Sequence, residues 1–427
     1  MLIKLFTVGI GIKRWLLLML LGVTLSSLGV ASIFLELEYN NVIQYHLLDA
    51  NWLLSFWTVV LGGIIACYAL LKLSLNLLAP YRRHQQGRVI DVVYAHSKRQ
   101  KGMKIVAVGG GTGLPSVLRG FKSMTSNITA IVTVADDGGS SGRLRRDLGV
   151  LPPGDLRNNI AALADDESLM TQLFQYRFNT GDLGGHSFGN LFIAALAGIS
   201  GGLEHALPEI ERVLNIQGRV LPSTLDDINL VATVRLAGKN HPLRVFGESK
   251  ITEIGGSIEE LGISPADARA YDESVQAILD ADIIVIGPGS LYTSILPNLL
   301  VPGIIQALRE TNAYKVYVCN VATQPGETEG YDVADHVLAL ERHIGRGVLQ
   351  AVVANNARPL LNAGVNTYYV EMSPPQHEIL QRYDVFYTDL TDPERPWRHD
   401  PHKLTKALLK MYHSAEKSGV QFEFASV

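Results

Sequence analysis

The stretch KIVAVGGGTGLP (residues 104–115) decides the fold, because it holds a strand, a turn and the start of a helix in twelve residues. Its apolar run has the length and β-branched content of a buried strand, and Pro115 suits the first turn of a helix. Gly109, Gly110, Gly111 and Gly113, with Thr112 between them, let the backbone approach an anion closely. The N–H groups at the start of the following helix add donors and partial positive charge. The stretch is not a Walker A loop, since no Lys-Ser/Thr pair follows, and Leu114 stands where a dinucleotide fingerprint has its third glycine. With no ligand the same residues would make a tight β–α turn.

Working outward, short apolar runs recur at 128–134 (ITAIVTV), 283–287 (IIVIG), 315–319 (KVYVC) and 349–354 (LQAVVA). Helix formers at helical spacing fill 115–123, 267–280, 301–310 and 331–344 between them, which is βαβ alternation. The pattern predicts an α/β fold: a Rossmann-like, doubly wound, mainly parallel sheet. Residues 203–261 read differently, as a helix leading into short antiparallel strands at RVLPST, NLVATVRLA and PLRVFG, a small α+β insertion.

Ligands of such sheets bind beyond the carboxyl ends of the strands, so the loops that follow strands are read first for function. After ITAIVTV come Asp136, Asp137, Ser140 and Ser141; a carboxylate there suits a ribose hydroxyl, and a pair suits Mg²⁺ shared with phosphate oxygens. One of the two would also serve as a helix cap. After IIVIG, Gly289 and Ser290 repeat the glycine-to-helix pattern, and Tyr292 is placed to stack on a base or to fill the core. The loops at 151–159, 185–190, 222–227 and 323–330 are polar and rich in glycine or proline. They contribute Arg157, a planar fork for phosphate, with Asn158, and Asp226; His186 and Asn190 stand one helical turn apart. Singly, each of these is read as a cap or a satisfied loop contact.

The N-terminal region has another character. Residues 15–34 and 52–71 are two uncharged apolar runs, each long enough as a helix to cross about 30 Å of hydrocarbon. Lys4, Lys13 and Arg14 precede the first run, and Lys72, Arg82, Arg83 and Arg88 follow the second. Between the runs lie Glu36, Glu38 and Asp49 without a Lys or Arg, so the positive-inside rule puts both ends in the cytoplasm. Trp52 and Trp57 suit an interfacial belt. The expected organisation is a transmembrane hairpin over 1–80, a basic linker over 81–102 and a cytosolic domain over 103–427, at the inner, plasma membrane.

Composition excludes several classes. With 37 basic and 41 acidic residues there is no footprint for nucleic acid. The two cysteines, Cys67 and Cys319, build neither a disulfide framework nor a metal site. Hydrolase elbows and HExxH spacing are missing from the sequence.

The motifs VGGGTGLPSVLRG, VTVADDGGSSGRLR, PPGDLRNNI, GHSFGNL, PSTLDDI, GPGSLYTSI and TQPGETEGY, in order across about 103–415, closely resemble those of the gluconeogenesis factor (YvcK) family, relatives of 2-phospho-L-lactate transferase. The resemblance implies a non-catalytic regulator that binds UDP-sugars such as UDP-N-acetylglucosamine and links carbon supply to cell-wall precursor synthesis and cell shape. It implies a partner protein in that synthesis and allows a homo-oligomer. No cofactor is required, with Mg²⁺ at Asp136 and Asp137 the one candidate. The transferase relatives imply an alternative, phospholactyl transfer from a guanosine diphosphate donor with a divalent metal. A third reading, an NAD-dependent enzyme, has only His186 as an acid and a fingerprint broken at Leu114.

Overall fold

The computed structural model describes residues 12–39, 50–82, 102–164, 169–239, 241–359, 367–374 and 376–417. The chain splits into two compact units, Met1–Ala95 and His96–Val427.

The first unit is a pair of helices, α1 (Ile12–Tyr39) and α2 (Ala50–Arg82). Within them Arg14–Phe34 and Leu53–Ser74 are long and apolar enough to cross a membrane. Small residues set how closely the two helices pack. A Cβ on Gly22 would lie 2.6 Å from the Ala66 nitrogen, so only glycine allows this approach. Ser32 and Ser55 hydroxyls meet at 2.9 Å, and Ser26 donates to the Val59 carbonyl at 3.2 Å, giving polar atoms protein partners in an apolar setting. At the basic end Trp15 meets Tyr68 edge-on at 5.9 Å, with Arg14 and Lys72 over their rings. Trp57 is exposed, while the Trp52 side chain, Lys4, Asp49 and most of the expected linker lie outside the described residues.

The second unit follows in chain order as β1 (Ile105–Gly109), α3 (Leu114–Phe121), β2 (Ile128–Val132), α4 (Gly139–Leu148), α5 (Gly154–Leu163), α6 (Leu169–Gln175), α7 (Phe188–Ser200), α8 (Leu203–Leu214) and β3 (Arg219–Pro222). Then come β4 (Asn229–Arg235), β5 (Leu243–Phe246), α9 (Glu248–Ile254), β6 (Ser257–Ser264), α10 (Asp272–Leu279) and β7 (Ile283–Ile286). A π-helical turn (Leu291–Ile295) leads to α11 (Leu296–Leu299), α12 (Pro302–Glu310), β8 (Tyr314–Val318), α13 (Val333–Ile344), β9 (Ala351–Asn355), β10 (Asp384–Thr388) and α14 (Pro401–Lys417).

Seven strands form one parallel sheet in the order β10-β9-β8-β7-β1-β2-β3, the doubly wound architecture predicted from sequence. Alternate residues of β1 serve opposite cores: Val106 and Val108 join α10, α12 and α13 on one face, Ile105 and Ala107 join α3, α5 and α8 on the other. Burial on both faces is why the strands read as unbroken apolar runs.

Two expectations change. RVLPST is not part of an antiparallel cap: Arg219–Pro222 pairs in parallel with β2, Val220 opposite Ala130, because Val220 and Leu221 are buried on the main sheet. The insertion is instead a three-stranded antiparallel sheet, β5-β4-β6, which ends at Ser264 rather than near 261. Strand β10, whose residues are only half-buried, gave no apolar run to detect.

Candidate functional site

The sheet winds one way through β1, β2 and β3 and the other way through β7, β8, β9 and β10, so the switch point lies between β1 and β7. Their register is direct, with Val108 opposite Ile286, and both strands end in glycine loops at the same level. The two loops touch: a Cβ on Gly113 would stand 2.6 Å from the Pro288 carbonyl oxygen, and one on Gly289 would be 3.3 Å from that of Gly110. Asn298 ties them by donating to the Gly109 carbonyl at 2.8 Å.

Two neighbouring pockets open here, sharing Thr112, Ser290 and Gln324. The larger, about 910 Å³, holds Gly113, Arg119, Arg395, Trp397 and Arg398 among its walls. The smaller, about 580 Å³, is walled by Gly111, Thr133, Asp136, Asp155, Glu248 and Glu253. One crevice thus has a basic, aromatic half and an acidic half.

The acidic half is under electrostatic tension. Burial raises the Asp155 carboxyl to about 7, against the pull of the Gly111 N–H that it accepts, and Asp136 raises it further. Burial also pushes Asp136 upward, opposed by the Gly138 N–H bonded to it at 2.9 Å. Glu248 rises to about 8 through burial, then through repulsion from Asp136 and Asp137. Below the pockets Glu327 is buried, raised to about 7, and accepts from Thr293 Oγ1 at 2.8 Å and Tyr292 N at 3.1 Å. That carboxylate fills the amide end of the π-helical turn.

The predicted site residues divide. Gly111, Thr112, Gly113, Asp136, Gly289 and Ser290 line the crevice. Gly109 and Gly110 stand behind them, and Asn158 reaches the Gly111 carbonyl at 3.4 Å. Ser140, Ser141, His186 and Asn190 form a buried network: Asn190 Nδ2 and His186 Nδ1 both reach Ser140 Oγ at 3.0 Å. Arg143 Nε donates to His186 Nε2 at 3.1 Å, which leaves the ring proton on Nδ1, pointing at Ser140. The imidazole, whose pKa burial and then Arg143 hold down, is therefore a donor to that hydroxyl and no base for it. Arg157 turns away to Ser187 and Asn158.

Three residues are placed elsewhere than predicted. Tyr292 lies in the core, 1% exposed, its hydroxyl 2.9 Å from that of Tyr331, so it cannot stack on a ligand. Asp226 accepts from Arg269 N at 2.7 Å, outside both pockets. Asp137 is drawn to the start of α9, where it accepts from Ser249 N at 2.9 Å and Ser249 Oγ at 2.6 Å. Asp137 is not among the residues that wall the smaller pocket; the carboxylates that face it beside Asp136 are Asp155, Glu248 and Glu253. Among the described residues no group of three or more His, Cys, Asp or Glu is arranged to hold a metal ion. Two carboxylates fit Mg²⁺ only when phosphate oxygens and water complete its octahedron.

Sequence reasoning missed Asp155, Glu248, Arg395 and Arg398. Asp155 follows a Pro-Pro-Gly turn in a first helical turn, and ERPWRHD (394–400) concentrates arginine around a tryptophan; both were readable signals.

Fold and crevice define a doubly wound α/β protein of the CofD type, and the family model for 2-phospho-L-lactate transferase CofD matches residues 105–413. The chain belongs to the gluconeogenesis factor family. A putative gluconeogenesis factor from a Nostoc species is 45% identical over 428 residues, 95% of this chain and 92% of its own, so most of the N-terminal unit is matched too. The gluconeogenesis factor of Bacillus subtilis is 52% identical over 255 residues, 59% of this chain and 78% of its own. A crystal structure from Bacillus halodurans, of a member of the upf0052 family, superposes with a TM-score of 0.68 at 41% identity, covering 72% of this chain and all of its own.

Proposed function

We propose that the second unit binds a nucleoside diphosphate sugar of the UDP-N-acetylglucosamine type as a regulatory ligand, without turning it over, and so couples carbon supply to cell-wall precursor synthesis and cell shape through a partner protein. The observation that carries the reading is the joined crevice of opposite character at the switch point. A diphosphate seeks arginines and an open helix start; sugar and ribose hydroxyls seek carboxylates and amides. Arg119, Arg395 and Arg398 supply the first, Asp136, Asp155, Asn320 and Gln324 the second. Mg²⁺ carried in by the nucleotide would be held by Asp136 and Asp155, where it would neutralise their mutual repulsion.

Calorimetric titration of the full chain in detergent with UDP-N-acetylglucosamine, guanosine diphosphate and NAD tests this. Binding of the uridine compound supports the reading. Binding of the guanosine compound alone would replace it with the second reading, phospholactyl transfer, which the description of the family model favours.

The two apolar helices are read as a membrane hairpin with both ends cytoplasmic, on the basic flanks and the acidic loop. Tethering would keep the regulator beside wall synthesis. An unchanged cell shape after deletion of the hairpin alone, where loss of the whole protein alters shape, would count against that role.

A further inference from the structure

His399 closes a short hairpin: its backbone pairs with Thr391, and the Asp392 N–H donates to the Arg398 carbonyl at 2.9 Å. The hairpin is docked on the end of β8, where His399 Nε2 meets the carbonyl oxygen of Cys319 at 3.1 Å. A carbonyl only accepts, so in the neutral ring the proton sits on Nε2 and Nδ1 is a bare acceptor. The side chain is 7% exposed, and among the described residues Nδ1 has no hydrogen-bond partner. Burial holds the imidazole down to about 4, against the pull of the Cys319 carbonyl, which keeps it neutral near pH 7. His399 nevertheless stands in the wall of the larger pocket, together with Trp397 two residues earlier. Trp397 is 39% exposed and, among the described residues, is the one tryptophan, tyrosine or phenylalanine in the wall of either pocket. A buried acceptor left without a donor is costly, and beside an aromatic ring at a pocket wall it suits a flat guest that carries an N–H.

We propose, resting on the nucleotide-binding reading above, that His399 selects the nucleobase of the guest: Nδ1 accepts from the ring N–H of a keto base, uracil N3–H or guanine N1–H, while the Trp397 ring stacks on the base. Cytosine and adenine present a bare ring nitrogen on that edge. Two lone pairs then face each other away from water, and neither finds a donor. The tautomer cannot adapt, since moving the proton to Nδ1 would set the Nε2 lone pair against the Cys319 oxygen. Protonating the ring would supply a donor, and burial opposes it. A site built on a hydrogen bond rejects the analogue that lacks it far better than an apolar wall does. Arg119, Arg395 and Arg398 stay with the diphosphate and the carboxylates of the smaller pocket with ribose and sugar, so His399 selects the base alone. A strut that merely pinned the hairpin to β8 would use Nε2 only and would give no preference among bases.

Calorimetry of the full chain in detergent with UDP, CDP, GDP and ADP tests this. UDP should bind at least about tenfold tighter than CDP, because only UDP carries the ring N–H. His399→Phe keeps a ring and removes both nitrogens; it should weaken UDP at least about tenfold and bring UDP and CDP within about threefold of each other. Trp397→Ala, at an exposed ring, should weaken both pyrimidine nucleotides alike and leave their ratio unchanged; undiminished affinity there overturns the stacking. Circular dichroism reports the fold of each variant, and the comparison of UDP with CDP on the parent needs no variant. Equal affinity of the parent for UDP and CDP overturns the selection by His399, and so does a folded His399→Phe protein that keeps the preference. Where UDP-N-acetylglucosamine binds but UDP and CDP bind equally, the regulatory reading stands and the role of His399 falls. Where GDP alone binds, and ADP does not, the regulatory reading falls and the role of His399 stands. Where no nucleotide binds, both fall.

Discussion

The carboxamide of Asn320 holds both backbone groups of Gly289: Oδ1 accepts from its N–H at 3.1 Å, and Nδ2 donates to its carbonyl at 2.8 Å. A residue following β8 thereby fixes the loop that follows β7, at the wall of the larger pocket. Asn320→Ala should strand two backbone groups and cost about 1–3 kcal/mol of stability. Nucleotide affinity should fall more than tenfold by calorimetry. Asn320→Asp keeps only the acceptor and should fall between.

Tyr292 offers a sharper contrast. As a ring that stacked on a ligand, its removal would weaken binding and spare the fold. As the buried side chain it is, Tyr292→Ala should cost roughly 3–5 kcal/mol of stability, read by urea unfolding, whereas Tyr292→Phe loses only the hydroxyl's bonds to Tyr331 and to the Ile258 carbonyl, about 1 kcal/mol. A stable Tyr292→Ala protein with lost affinity would contradict the core placement.

Stability should depend on pH through Glu248. Folding raises this carboxyl from its ordinary 4.5 to about 8, so between those values the folded chain holds more protons than the unfolded one. Stability from this group is therefore present at low pH and is lost as pH rises toward 8. Glu248→Gln should flatten the melting-temperature profile between pH 5 and pH 8 (both about the limits the shift sets) and gain most at the alkaline end. Parent and variant profiles that run parallel would refute it.

The cation partners can be told apart by substitution. Asp136→Asn and Asp155→Asn should each abolish any gain in nucleotide affinity that Mg²⁺ brings. Asp137→Asn should leave that gain intact and lower stability by about 1 kcal/mol, because its carboxylate bonds the start of α9. Titrations with and without chelator read the first effect, and urea unfolding the second.

What was legible in the sequence was whatever has a period or a punctuation mark. Strands β1, β2, β7, β8 and β9 are buried on both faces and announce themselves as apolar runs, and the glycines of the first loop mark the crevice. Strand β10 is half-buried and lacks that signature. RVLPST was assigned to the wrong sheet because a short strand carries no mark of its partner. Asp136 and Asp137 are neighbours in sequence with different destinations, one at the pocket and one at the start of α9; only tertiary structure could show that Asp155, Glu248 and Glu253, and not Asp137, face Asp136 there.

The wall that carries Glu248 and Glu253 is not part of the wound sheet at all. It belongs to the three-stranded insertion, fastened to the loop that follows β2 through Asp137 and Ser249. Ligand choice and scaffold are thus encoded in separate stretches: grafting the segment between β3 and α10 from one relative onto another should re-tune which guest is accepted while the framework folds as before.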